Sequence, residues 1–145
     1  MFATMSRFAS PKSLSSVYRK TGVEIDVHAA TPHRLVEMLF DGVMEAIAQA
    51  RGAIQNGNIP LKAHAIGRAV RILDEGLKAA LNLKDGGRLA ADLNELYAYL
   101  TLRLTQANLR NDEQALDECK RLLQPLQQAW AEIGPEVNHS KGAGR

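Results

Sequence analysis

The chain has 145 residues, which fits one domain, and at that size a core can form without disulfides or metals. Hydrophobic residues make up 46% and charged residues 23%, which excludes wholesale disorder. The net charge of +2 is local: residues 1–20 hold Arg7, Lys12, Arg19 and Lys20 and no acid, leaving 14 basic against 16 acidic side chains elsewhere.

A slightly acidic body argues against a protein that tracks phosphates along nucleic acid, which needs a basic face. No apolar run reaches eighteen residues, so no membrane insertion is expected. The single cysteine, Cys119, can neither staple the fold nor build a thiolate zinc site. Ala and Leu number 21 and 19, against 19 for Val, Ile and Thr together. That balance favours helix over strand.

Residues 1–30 read as an N-terminal arm, rich in Ser and interrupted by Pro11. No apolar stretch of signal-peptide type follows the early basic residues. Within the arm, Val23, Ile25 and Val27 alternate with Glu24, Asp26 and His28. Such alternation suits an extended segment lying on another surface.

A first helix is expected from Thr31-Pro32, a good cap followed by a residue preset for the first turn. Leu35, Val36, Leu39, Val43, Ile47, Ala50 and Ile54 form its stripe, and Asn56-Gly57 ends it. A second helix should start near Asn58 or Pro60 and run to about Leu83, with Ala65, Ile66, Ala69, Ile72, Leu73, Leu77 and Ala80 inward. Asp85-Gly86-Gly87 breaks the chain. The third stripe is Leu89, Leu93, Leu96, Tyr97, Leu100, Leu104 and Ala107. Asn111 with Gln114 is expected to cap the fourth helix, whose stripe is Leu116, Cys119, Leu123, Leu126, Trp130 and Ile133. Pro125 lies inside that helix and predicts a kink.

Four amphipathic helices joined by short turns predict an all-α, antiparallel up-down four-helix bundle over 31–134. The arm is expected to be able to pack on the bundle, and 135–145 reads as a flexible tail.

Catalytic chemistry is not legible. A di-iron bundle needs Glu-x-x-His pairs projecting inward, and no ligand set in the four helices meets such spacing. Neither a metal nor another cofactor is expected. Gly86-Gly87 lacks the pattern of a phosphate loop. Cys119 falls on an apolar face and reads as a structural thiol. No enzyme activity is expected.

What stands out is surplus apolar surface. On a helical wheel, Ala91, Ala98, Leu102 and Leu109 lie at about 200°, opposite the core stripe of the third helix, and Tyr99 lies near 280°. In the second helix Val70 and Leu81 lie at about 180–200°. Phe40 and Met44 sit at the edge of the first stripe. Large exposed apolar patches mark partner sites. The occupant could be the arm, a second copy or another chain.

The residues also carry a resemblance. Its parts are Tyr18 to Val23 (YRKTGV), Thr31 to Gly42 (TPHRLVEMLFDG), Gly86-Gly87, Leu93 to Leu100 (LNELYAYL), Gln106 to Asp112 (QANLRND) and Ala129-Trp130. In order and spacing these resemble the flagellar secretion chaperone family FliS, over about Tyr18 to Ile133. The resemblance implies a cytoplasmic chaperone without enzymatic activity. Such a chaperone binds the disordered C-terminal segment of flagellin, prevents premature polymerisation and delivers it to the flagellar type III export gate. It also implies an arm that covers part of the binding surface, with Tyr18 in the flagellin-binding role. Thr21, Val23 and Ile25 of the arm join Val70, Leu81, Tyr99, Leu102 and Leu109 as expected partner-binding residues. Leu96 and Trp130 are expected to be structural. The alternative is a helical regulatory adaptor that sequesters a transcription or assembly factor, and an anti-sigma factor is a conceivable further partner.

Overall fold

The computed structural model describes residues 31–134. The arm and the tail expected at the two ends lie outside them. The described residues form α1 (Pro32–Gln55), α2 (Ile59–Arg71), α3 (Gly87–Arg110) and α4 (Glu113–Ile133). α1 packs on α2 and α4, and α3 packs on the same two helices. The architecture is the four-helix bundle that the periodicity predicts.

Local chemistry sets the helix ends. The Thr31 hydroxyl accepts from Arg34 N–H at 3.0 Å, ahead of Pro32 at the first helical position. This satisfies one of the first-turn amides that have no partner within the helix. Gly57, at φ 70°, lets the chain leave α1 through the left-handed region. Asn58 then caps α2 by accepting from Leu61 N–H at 3.1 Å.

The second helix departs from its expected form. α-Helical winding stops at Arg71, and Ile72–Leu77 continue as a π-helical stretch. The Lys78 N–H donates five residues back to the Leu73 carbonyl, at 2.8 Å. Ile72, Leu73, Gly76 and Leu77 are all buried. That i, i+1, i+4, i+5 pattern suits an ordinary helix equally well, so periodicity does not distinguish the two. Turns follow to Ala80, and Leu83 is exposed rather than part of a core stripe.

The glycine pair before α3 has a steric reason. Gly86 N–H donates to the Asn82 carbonyl at 2.7 Å. A Cβ at Gly86 would stand 2.4 Å from that oxygen and 2.6 Å from the Ala90 Cβ. Only glycine fits there. Ala90 is buried, whereas Leu89, expected in the stripe, is exposed.

The α3–α4 turn divides its work differently from expectation. Asn111 adopts the left-handed conformation at φ 52° and ends α3. The cap of α4 is Asp112, whose carboxylate accepts from Gln114 N–H at 3.0 Å and Ala115 N–H at 3.2 Å. A carboxylate at that position also complements the positive end of the helix dipole. Buried Lys62 closes the other side, donating to the Asn108 carbonyl at 2.8 Å and to Asn111 Oδ1 at 2.6 Å. Its charge meets the negative end of α3.

The core holds Leu35, Leu39, Val43, Ile66, Ile72, Leu73, Leu100, Leu104, Leu116 and Leu123, each at most 2% exposed. Phe40, expected at the edge of its stripe, is buried with them. Leu96 and Trp130 are half-buried and pack against this cluster. Cys119 is buried, and desolvation pushes its thiol up to about 12. It therefore stays protonated at neutral pH, as expected of a structural thiol.

α1 and α4 are cross-linked along their length. Arg51 Nη1 donates to Asp117 at 2.6 Å, and Gln127 Nε2 donates to Asp41 at 2.8 Å. At the end where α1 begins, the His33 ring stacks on Trp130 at 4.9 Å. The Trp130 indole N–H donates to the His33 carbonyl at 2.9 Å, and His33 Nε2 bonds the Trp130 carbonyl at 2.8 Å. Pro125 is exposed and α4 runs through it unbroken to Ile133. A carbonyl deprived of its helix partner on the solvent side can be hydrated.

Gly86→Ala is expected to cost about 1–3 kcal/mol of stability through overpacking. Urea unfolding measures it, and an unchanged midpoint would show that the turn can shift aside.

Candidate functional site

A bundle helix is expected to be polar on its outer side. α3 is not. Leu109 is 78% exposed, Leu102 55% and Tyr99 41%, in agreement with their wheel positions away from the core. Ala91 and Ala98 are exposed beside them. The Lys62–Asn108 bond brings the first turn of α2 against the last turn of α3. Exposed Ile59 and Leu61 of α2 therefore lie at the same end as Leu109. On α4, Leu122 is exposed one turn after Glu118.

The other expected site residues divide. Val70 and Leu81 are half-buried and pack against the core, so each offers only part of its surface. Leu81 faces inward more than the wheel implies, because the π-helical stretch and the turns after it precede it and change its rotation, whereas Val70 lies in regular α2 beside buried Ala69 and Ile66. Tyr18, Thr21, Val23 and Ile25 lie outside the described residues.

A polar network crosses the α3–α4 seam beside the exposed leucines. Tyr99 donates its hydroxyl proton to Glu118 Oε2, and Arg103 Nε donates to Glu118 Oε1 at 2.6 Å. Arg103 Nη1 also donates to Gln106 Oε1 at 2.6 Å. The sequence marked Tyr99 but gave no signal for its partner Glu118, nineteen positions on in the chain, which it meets only once the helices pair. The Tyr99 and Arg103 hydrogen bonds, in that order, hold the Glu118 carboxyl below its ordinary value of 4.5. The bond to Glu118 holds the Tyr99 phenol above its ordinary value of 10.0.

A second depression lies on another face, between α1 and α4, with a volume of about 350 Å³. Met44, Ile47, Ala48 and Gly52 line its α1 side, and Arg51 and Lys120 supply charge. A Cβ at Gly52 would meet nothing within 4 Å, so this side is open. Among the described residues no group of three or more His, Cys, Asp and Glu side chains could hold a metal ion. Among the same residues no helix is long and apolar enough to cross a membrane.

The network makes a pH prediction. Glu118 has a lowered folded pKa, so its contribution to stability is present above 4.5 and is lost as pH falls through the folded value. In Glu118→Gln that loss disappears. The melting temperature of the variant should fall less steeply than wild type between about pH 5 and about pH 3. Parallel curves would show that the seam bonds do not form in solution.

Comparison with known proteins identifies the family of such a bundle. The family model described as flagellar protein FliS matches residues 14–137. The flagellar secretion chaperone FliS of Salmonella typhimurium is 45% identical over 121 residues, covering 83% of this chain and 90% of that protein. The chaperone FliSB of Pseudomonas aeruginosa is 42% identical over 113 residues, covering 78% and 89%. FliS of Vibrio cholerae is 37% identical over 126 residues, covering 87% and 92%. Matches of that identity and extent, on a four-helix bundle with an apolar outer face, make this chain a member of the FliS family.

Proposed function

We propose that the protein is a cytoplasmic flagellar export chaperone, not an enzyme. It holds the disordered C-terminal segment of flagellin, prevents its premature polymerisation and delivers it to the export gate. The observation that carries this reading is the outer side of α3, where Tyr99, Leu102 and Leu109 are exposed. The names of the relatives, flagellar secretion chaperones, supply the partner class.

The energetics suit a disordered partner. Ordering such a segment costs about 2–5 kcal/mol of the gross interaction. Full burial of one leucine contributes about 1.5–3 kcal/mol, so several anchors must act together. Leu102, Leu109, Tyr99 and Leu122 provide them along one side of the α3–α4 pair. An amphipathic segment of the partner lays its apolar face on such a stripe. Once seated, those same partner side chains are no longer available for self-assembly. The step needs neither a nucleotide nor a metal, because its work is binding. The arm, with Tyr18, Thr21, Val23 and Ile25, serves in this reading as a cover that the partner displaces. Displacement requires only that the partner bury more apolar area than the arm does.

The test is calorimetry and far-UV circular dichroism with a peptide of the flagellin C-terminal segment. A 1:1 complex with a gain of helix is expected. Leu102→Asp should weaken it at least about tenfold, since it removes a leucine contact and buries a charge, while thermal melting barely changes. Tyr18→Ala should weaken binding more than folding. Absence of a complex removes this reading, and equal loss of stability and binding would make Leu102 a folding residue instead.

A further inference from the structure

We propose that Glu118 is a positioning residue for partner binding: its carboxylate holds Tyr99 across the α3–α4 seam as a preset aromatic anchor. This rests on the chaperone reading above and names a device within its site.

Tyr99 is 41% exposed, yet its hydroxyl is tied to a side chain on the neighbouring helix. A tyrosine whose phenol was only solvated could sample several rotamers. Bonded to Glu118, the ring has to reach from α3 toward α4. Leu102 lies about one turn on along α3, and Leu122 one turn on along α4. The two helices run antiparallel, so these exposed leucines flank the ring on opposite sides along the helix axes. The resulting patch is apolar, aromatic at its centre and bounded by Arg103.

The partners of Glu118 explain why a carboxylate suits this position. Arg103 occupies its second oxygen, at 2.6 Å, and neutralises its charge. Arg103 is itself steadied by Gln106. The carboxylate thus has both oxygens engaged and offers no unpaired charge to an incoming apolar segment. A link of this kind between exposed groups adds little to folding stability. Its larger effect is on the ring, because a side chain already ordered before association loses less freedom on binding. Tyrosine suits that role, since it presents a large rigid surface with few rotatable bonds.

The experiment uses the full chain and the flagellin C-terminal peptide, with Glu118→Ala, Glu118→Gln, Tyr99→Phe and the Tyr99→Phe/Glu118→Ala double variant. Both Glu118 variants free the Arg103 charge, but only Gln keeps an acceptor for the phenol. Glu118→Ala should weaken binding about two- to tenfold, and Glu118→Gln should bind within about twofold of wild type. Tyr99→Phe keeps the ring and loses the tether, so it should match Glu118→Ala. The double variant should be no weaker than either single one. Circular dichroism melting checks that each variant folds. The proposal is overturned if Glu118→Ala binds like wild type, if Gln is as poor as Ala, or if the two single losses multiply. Failure of the wild type itself to bind removes the chaperone reading, and this inference with it.

Discussion

The structure depends on how the apolar side chains are divided between inside and outside. Among the described residues nine alanines are buried: Ala46, Ala50, Ala53, Ala65, Ala69, Ala80, Ala90, Ala107 and Ala115. Nine large apolar residues are exposed, from Ile59 on α2 to Ile133 at the end of α4. Small core residues let helices approach closely, and a close-packed interior has no room for extra methylenes. The leucines left over must therefore lie outside. A chain shaped only for the stability of the monomer would reverse part of that division. In the chaperone reading, the burial of the outward leucines on α3 is deferred to a complex.

The polar contacts serve register more than stability. Arg51 bridges α1 to Glu113 and Asp117, Asp41 holds Gln127, and Glu118 ties Tyr99 to Arg103. Each lies at least partly in solvent, where such pairs contribute little net free energy. They nonetheless fix which turn of one helix faces which turn of the next. The His33–Trp130 stack does the same where α1 begins and α4 ends. A binding face built from two helices needs that registration, since a slip of one turn would move Leu122 about 5 Å along α3.

Most of the fold was legible in the sequence because helix periodicity and caps are local signals. Thr31, Asn58 and the Gly86-Gly87 break stand where their chemistry demands. The π-helical stretch at Ile72–Leu77 was not legible, because its buried positions satisfy an α-helical pattern too. Leu89, expected in the third stripe, is exposed, and Ala90 beside it is buried. Gly86 admits no Cβ beside Ala90, and this close contact, rather than side-chain size, draws Ala90 inward. Of the surface, Leu102 and Leu109 could be read from the wheel alone. Leu81 could not be placed, since the winding changes before it. The Glu118 tether depends on pairing between helices and has no local signature. The α1–α4 depression escaped for a similar cause: Ala48 and Gly52 are unremarkable until α4 supplies the opposite wall.

The spacing of the exposed residues limits what can use them. Leu102 and Leu109 are seven positions apart, about 10 Å along α3, with polar Thr105 and Gln106 on the turn between them and charged Arg110 beyond. A small molecule would cover one leucine and gain too little. A rigid globular partner would have to bury the intervening polar side chains or bridge over them. An extended chain that forms helix as it binds can place its own apolar residues at matching intervals and leave the polar groups between them in water. In the chaperone reading, that spacing suits a long, adaptable partner better than a compact one.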